Sequence, residues 1–133
     1  MEKLLKLKPF KALMKMIGEC LDFKGRTARA EYWYAVLGII ILEAIAFFVV
    51  FILCLIMPKF IDSILLLIYR AFSLAATFLY VSMSIRRMHD VNQTPWLLLL
   101  WLTAVGGIVP IYFCAQPSYP EANQYGPVPT SIV

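Results

Sequence analysis

Residues 35–57 read AVLGIIILEAIAFFVVFILCLIM, an apolar run of 23 residues with one charged side chain, Glu43. A helix of this length is about 35 Å long, enough to cross a hydrocarbon core about 30 Å thick. Of the 133 residues in the chain, 62% are hydrophobic and 15% are charged. A soluble fold of this size needs more polar residues to cover its surface. The composition therefore predicts an integral membrane protein.

Three apolar blocks are long enough to cross a bilayer as helices. They run from about Tyr32 to Leu55, from about Ile61 to Ser84 and from about Trp96 to Phe113. The alternating segments that build membrane β-barrels are not visible in the sequence. Gly106, Gly107 and Pro110 interrupt the third block, where a kink or a re-entrant bend is the alternative to a full crossing. We predict an all-α protein with three transmembrane helices.

Residues 1–24 precede the first block and have the pattern of an amphipathic helix. Apolar residues recur at spacings of three and four, namely Leu7, Phe10, Met14, Ile17 and Leu21. Lysines and acidic residues fall mostly on the other faces, and Pro9 suits a first helical turn. We expect this helix to lie in the interface of the inner leaflet, with its lysines near anionic headgroups. The alternative is a soluble helix packed on a partner protein.

The distribution of lysine and arginine predicts the orientation. Eight cations precede the first block, and Arg86 and Arg87 follow the second, whereas the loop between these blocks has only Lys59. With three crossings, ten cations are cytoplasmic and one is external, as expected for a cytoplasmic N-terminus. The transmembrane domain is then residues 25–114, and the proline-rich tail, residues 115–133, is predicted to lie outside.

Three short motifs stand at the borders of the blocks. FKGRTARAEYWY occupies residues 23–34, RRMHD occupies residues 86–90 and precedes Trp96, and NQYGPVP occupies residues 123–129. In this order they resemble the bacterial inner-membrane family called domain of unknown function 805. Members typically have leucine where Met88 stands, arginine where Gln124 stands, and a G-x-S-G-W turn in place of VNQTPW. The resemblance implies a small polytopic inner-membrane protein and no settled activity.

Seven polar residues cluster at the predicted cytoplasmic boundary: Arg26, Arg29, Glu31, Arg86, Arg87, His89 and Asp90. Pairing of Glu31 with Arg86 or Arg87 would tie the first block to the second. The four arginines could also hold a lipid phosphate, because guanidinium forks suit phosphate geometry.

A catalytic interpretation of this cluster would use His89 and Asp90 as an acid–base relay, because histidine titrates near neutral pH. The sequence has no second histidine, no recognisable nucleophile and no metal-ligand spacing. We therefore favour a structural helix-end cluster, and we expect no enzymatic activity, metal or cofactor.

Glu43 and Arg70 are charged residues inside the apolar blocks. Glu43 lies about 13 Å from the cytoplasmic end of its block, and Arg70 lies about 16 Å from the same face. A lone charge at this depth is costly, so each residue accounts for the presence of the other. We predict a Glu43–Arg70 ion pair; a hydrated path at an oligomer interface is the alternative.

Cys54 and Cys114 lie near the predicted outer ends of the first and third blocks, where a disulfide between them is conceivable. They lack the CxxC spacing of metal sites, and small apolar packing residues are the interpretation we favour.

The function that these patterns favour is a non-enzymatic interaction or regulatory subunit of the bacterial inner membrane. We expect contact with anionic lipid and with a membrane protein partner or further copies of the chain. The alternative function is a subunit of an oligomeric transporter or channel that uses Glu43 and Arg70. Nucleic-acid binding is not expected, because membrane topology already explains where the cations lie.

Overall fold

The computed structural model describes residues 7–103 and 105–130 of the chain. Its elements, in order, are α1 (Lys8–Gly18), α2 (Arg29–Ile56), α3 (Lys59–Asp90), a 3-10 helix (Pro95–Leu102) and α4 (Ile108–Ala115). These residues form no strand, and a single bridge joins Asn123 to Gly126. The all-α prediction is confirmed for this part of the chain. Positions 1–6 of the predicted N-terminal helix, position 104 of the third block and positions 131–133 of the tail lie outside the described residues.

α2 and α3 are long and apolar enough to cross a membrane. With 28 and 32 residues, they are about 42 and 48 Å long. The mean hydropathy of their most apolar windows is 3.2 and 1.9, and no residue in either window is buried inside the chain. Phe48, Leu67 and Leu74 are 62%, 68% and 72% exposed. Such a surface is stable against lipid chains and unfavourable in water.

α1 packs across α2 at Gly38. Pro9 lies in the first turn of α1, and the buried face of this helix carries Ala12, Leu13 and Met16. Because Gly38 has no side chain, the Pro9 carbonyl oxygen comes within 3.2 Å of the place that a Cβ atom would occupy. Of the predicted apolar stripe, the residues that remain exposed are Leu7, Met14, Ile17 and Leu21. One face of α1 therefore covers α2, and a second apolar surface stays open.

The third apolar block differs from the predicted transmembrane helix. It forms the 3-10 helix, a turn and α4, and each helix has eight residues. At about 16 and 12 Å these pieces are too short for a hydrocarbon core about 30 Å thick. The Thr103 hydroxyl accepts the Gly106 N–H at 3.0 Å and donates to the Leu100 carbonyl at 2.8 Å, which satisfies polar groups of the turn. The third block is therefore a helical hairpin, residues 95–115, and the prediction of one long helix there is corrected.

The hairpin packs against α3. The Trp101 ring stacks on Tyr80 with centroids 5.0 Å apart, and Leu97, Leu98 and Phe113 pack against the buried core. The hairpin therefore covers the C-terminal part of α3 and does not reach its N-terminal part.

Because the hairpin turns back, the tail returns to the end of α3 where the hairpin began. The Tyr119 N–H donates to the Asp90 carbonyl at 2.9 Å. Arg26 donates to the carbonyls of Glu121 and Gly126 at 2.9 and 3.1 Å. The tail and His89 lie at the same end of the helices, so the prediction that they lie on opposite sides of the membrane is corrected. The cation count gave no information here, because the tail contains neither lysine nor arginine.

The same return separates the two cysteines that were candidates for a disulfide. Cys114 is buried at the tail end of the helices, where its carbonyl accepts a hydrogen bond from Arg87 at 3.0 Å. Cys54 lies near the opposite end, two residues before α2 ends. Both cysteines are free.

Candidate functional site

The last turns of α3 form a buried polar helix end. The buried residues in this stretch are Ser82, Met83, Ser84, Arg86, Arg87, Met88, His89 and Asp90. A run of charged residues is seldom buried unless each charge is paired. Three other segments surround this run: α1, the loop between α1 and α2, and residues 114–126. We call Arg26, Arg87, His89, Asp90 and the tail groups bound to them the polar cluster.

Asp90 lies at the centre of the polar cluster and its side chain is fully buried. Its carboxylate accepts hydrogen bonds from Arg26 Nη2 at 3.0 Å and from the Ser118 hydroxyl at 2.5 Å. Arg87, one turn earlier on α3, forms a second ion pair with it. One carboxylate therefore joins the loop before α2, the end of α3 and the tail.

Arg26 connects this carboxylate to the backbone of the tail. Its guanidinium donates to the Tyr119 and Glu121 carbonyls, both at 2.9 Å, and to the Gly126 carbonyl at 3.1 Å. Its side chain is only 1% exposed. All three nitrogens of the guanidinium point at protein oxygens, because Nε and Nη2 bind Asp90.

Arg87 is bound in a similar way from the other side of Asp90. It donates to the carbonyls of Thr27 at 3.2 Å, of Cys114 at 3.0 Å and of Gln116. Its side chain has no exposed surface. The guanidinium therefore links the loop before α2 to the end of α4.

His89 lies in the final, polar turn of α3, beyond the apolar part of that helix. Its ring stacks on Tyr125 with centroids 3.7 Å apart and planes inclined by 7°. Its Nδ1 lies 3.3 Å from the Gly25 carbonyl, and its own carbonyl accepts the Asn123 side-chain amide at 2.8 Å. Burial lowers the pKa of His89, and the contact with Gly25 opposes part of that shift.

The side chains of His89 and Asp90 diverge. The His89 ring faces Gly25 and Tyr125, whereas the Asp90 carboxylate faces the two arginines and Ser118. Adjacent helical residues point in directions about 100° apart. This geometry does not form the relay that a catalytic interpretation of the pair requires.

The remaining charged residues of the predicted cluster either pair with residues in or next to α1 or are exposed. Arg86 forms an ion pair with Glu19, and Glu31 is paired with Lys15 at 2.8 Å. Arg29 is exposed and approaches the Ala115 carbonyl at 3.5 Å. Of the four arginines proposed to hold a phosphate, three therefore face protein groups, and Arg29 is the one on the surface.

Glu43 and Arg70 are not brought together. The ion pairs within 4.0 Å that the described residues form do not include either of them. Tyr69, the residue before Arg70, lies near the Glu43 carboxylate. Glu43 also lines a groove of about 440 Å³ between α2 and α3, together with Val36, Ile39, Ile40, Ser73, Ala76, Thr77 and Tyr80. Arg70 is exposed on α3.

Sequence reasoning missed the contribution of the tail. Tyr119, Asn123, Tyr125 and Gly126 all bind the polar cluster, and Gly126 has a φ of +128° that suits glycine. The signal was the NQYGPVP motif, which had been assigned to the far side of the membrane. The structure gathers all three motifs, which begin at residues 23, 86 and 123, into one site.

Two long apolar helices, a helical hairpin and a buried polar helix end define a class: an integral membrane protein whose polar residues are concentrated at one end. A family model described as "Protein of unknown function (DUF805)" matches residues 20–127, and the chain belongs to this family. It is 32% identical over 115 residues to inner membrane protein YhaI of Escherichia coli strain K12, covering 85% of this chain and 90% of that protein. It is 29% identical over 124 residues to inner membrane protein YhaH of the same strain, covering 87% and 93%. No solved structure matches the chain.

Proposed function

We propose that this protein works as a non-enzymatic interaction or regulatory subunit of the inner membrane. The observation that carries this proposal is the closed polar cluster. The guanidinium groups of Arg26 and Arg87 are directed at carbonyls and at Asp90, and the His89 ring is covered by Tyr125. Groups bound in this way hold segments together and are not available to a substrate.

The proposed topology has both the N-terminal helix and the tail in the cytoplasm. The end of the bundle with the polar cluster carries most of the cations, whereas Lys59 stands at the other end. Cysteine-free variants with one cysteine at Met57 or at Val128, which is 42% exposed, test it. An impermeant maleimide applied to cells with a permeabilised outer barrier should label position 57, and should label position 128 only after lysis. Labelling of position 128 before lysis would refute the topology.

Contact with anionic lipid headgroups is assigned to α1. Lys8 and Lys11 are exposed, and Leu7, Met14 and Ile17 present an open apolar surface on the same helix. An interfacial helix needs this combination of a basic and an apolar face. The lipid contact therefore rests on these lysines rather than on the buried arginines.

The surface proposed to bind another membrane chain is the groove between α2 and α3. Glu43 and Ser73 place polar atoms in it, at a depth where lipid chains cannot hydrogen-bond to them, whereas the Thr77 hydroxyl donates to the Ser73 carbonyl at 2.9 Å. Polar and small side chains on a membrane helix commonly face another helix. A protein neighbour in this groove would satisfy these atoms and exclude lipid.

Site-specific photo-crosslinking in cells tests this surface. A photoreactive residue at Ile40, which lines the groove and is 58% exposed, should form adducts with protein. The same residue at Leu67, which is 68% exposed and outside the groove lining, is the matched control and should react mainly with lipid. If both positions give only lipid adducts, the groove has no protein neighbour and the proposed function is refuted.

A further inference from the structure

We propose that the chain in the groove is a second copy of this protein, and that Glu43 of each copy pairs with Arg70 of the other. This inference rests on the proposed function and specifies the partner. It uses the two charged residues that the fold of a single chain leaves separate at the centre of its apolar helices.

The two charges lie at the same depth. The Tyr69 ring lies 6.4 Å from the ring of Phe47, which is one turn after Glu43 on α2, and Tyr69 is near the Glu43 carboxylate. Arg70 follows Tyr69 directly, so its Cα is about 1.5 Å further along the helix axis. Glu43 and Arg70 therefore occupy one layer of the bundle, although they are not paired within the chain.

Equal depth matters because of the symmetry of membrane dimers. A two-fold axis along the membrane normal moves a residue around the axis and leaves its depth unchanged. If Arg70 of one copy reaches Glu43 of the other, the same operation places the reverse pair at the same level. One contact surface therefore neutralises four intramembrane charges, each of which is costly when it faces lipid alone.

The shape of the groove also suits a second helix. The helical hairpin covers its end at Tyr80, where Trp101 stacks at 5.0 Å. Beyond that point the lining on α3 consists of Ser73, Ala76 and Thr77. Small residues at these positions allow the backbone of a second helix to approach closely. Arg70 lies three residues before Ser73 and seven before Thr77, on the same side of α3.

Co-expression of two singly neutralised copies tests the pairing. Glu43→Gln and Arg70→Gln copies carry different affinity tags and are made together in one cell. A mixed dimer keeps one complete ion pair and joins two glutamines, so it has no lone charge. Each like dimer has two lone charges. After mild detergent extraction and sequential purification on both tags, we expect the ratio of mixed dimers to like dimers to exceed its statistical value severalfold.

Two controls keep the result interpretable. Wild-type copies with the two tags should mix at the statistical ratio. The second control replaces the three native cysteines and introduces Glu43→Cys and Arg70→Cys in the same chain. A short bis-maleimide should then give a dimer-sized band, because position 43 of one copy lies near position 70 of the other. A statistical ratio for the mutant copies together with no dimer-sized band would overturn the second-copy inference. A groove that still crosslinks to protein would then leave the proposed function intact with a different partner.

Discussion

Neutralisation of Asp90 tests whether the polar cluster holds the fold together. The carboxylate is fully buried and binds Arg26, Arg87 and Ser118. The variant Asp90→Asn keeps the shape of the side chain, but it removes the negative charge between two buried guanidinium groups. Removal of one partner from a buried ion pair costs about 3–5 kcal/mol. Because carbonyls still accept hydrogen bonds from both arginines, we expect the lower end, about 3 kcal/mol.

Asp62→Asn is the matched control for Asp90→Asn. Asp62 pairs with Lys59 at 3.2 Å near the start of α3, and the Lys59 side chain is 90% exposed. Exposed pairs contribute about 0.2–1 kcal/mol, so this variant should unfold almost like the wild type. The free energies of unfolding of the wild type and the two variants are compared in mild detergent. Reversible unfolding is driven by adding increasing amounts of a denaturing detergent.

Thiol reactivity of Cys114 provides a local measurement of the same change. This cysteine is fully buried, and its carbonyl accepts a hydrogen bond from Arg87. In the variants used for this measurement, Cys20 and Cys54 are replaced by alanine. Asp90→Asn should make the thiol react faster as the tail detaches, whereas Asp62→Asn should not. If Asp90→Asn loses no more stability than the control and the thiol reacts at an unchanged rate, the reasoning about the carboxylate is refuted.

Three further predictions concern α1 and the histidine. In Gly38→Val the new side chain meets the Pro9 carbonyl, which already lies 3.2 Å from the Cβ position. We expect a loss of about 1–3 kcal/mol in the same unfolding assay; an unchanged value would mean that α1 does not pack there. Replacing Lys8 and Lys11 together by glutamine should weaken binding to anionic vesicles by about 1 kcal/mol per lysine and leave binding to neutral vesicles unchanged. An equal loss of binding to anionic and to neutral vesicles would contradict the lipid contact. Because burial lowers the pKa of His89, protonation favours the unfolded state, so stability should be constant above about pH 6.5 and fall below it. A His89→Gln variant with the same pH profile as the wild type would contradict this assignment.

The two long helices and α1 could be predicted from the sequence because hydrophobic length and periodicity determine them. The third block could not be assigned this way. Its apolar run is as long as a transmembrane helix, and only Gly106, Gly107 and Pro110 distinguish a hairpin from a crossing. The error then moved the tail to the wrong end, since a segment without lysine or arginine carries no orientation signal.

The structure brings charged residues of two motifs together, but the bonds between them could not be predicted. The residues of two motifs were expected near the ends of α2 and α3, and they lie there. Besides Asp90, however, Arg26 binds backbone carbonyls 93 to 100 residues later in the chain. Carbonyl groups are common to every residue, so no sequence pattern marks those that accept such bonds. For Glu43 and Arg70, residue counting predicted a similar depth but could not give the direction in which each side chain points.

The position of the tail in the polar cluster also sets an order for biogenesis. α2 and α3 can enter the membrane as soon as they leave the ribosome, because their apolar surfaces need only lipid. The acceptors that Arg26 and Arg87 require at Cys114, Tyr119 and Gly126 are synthesised later than both helices. Until those acceptors have been synthesised, neither guanidinium group can form its full set of hydrogen bonds. The end of the bundle that holds the polar cluster therefore closes only after the NQYGPVP motif has been synthesised.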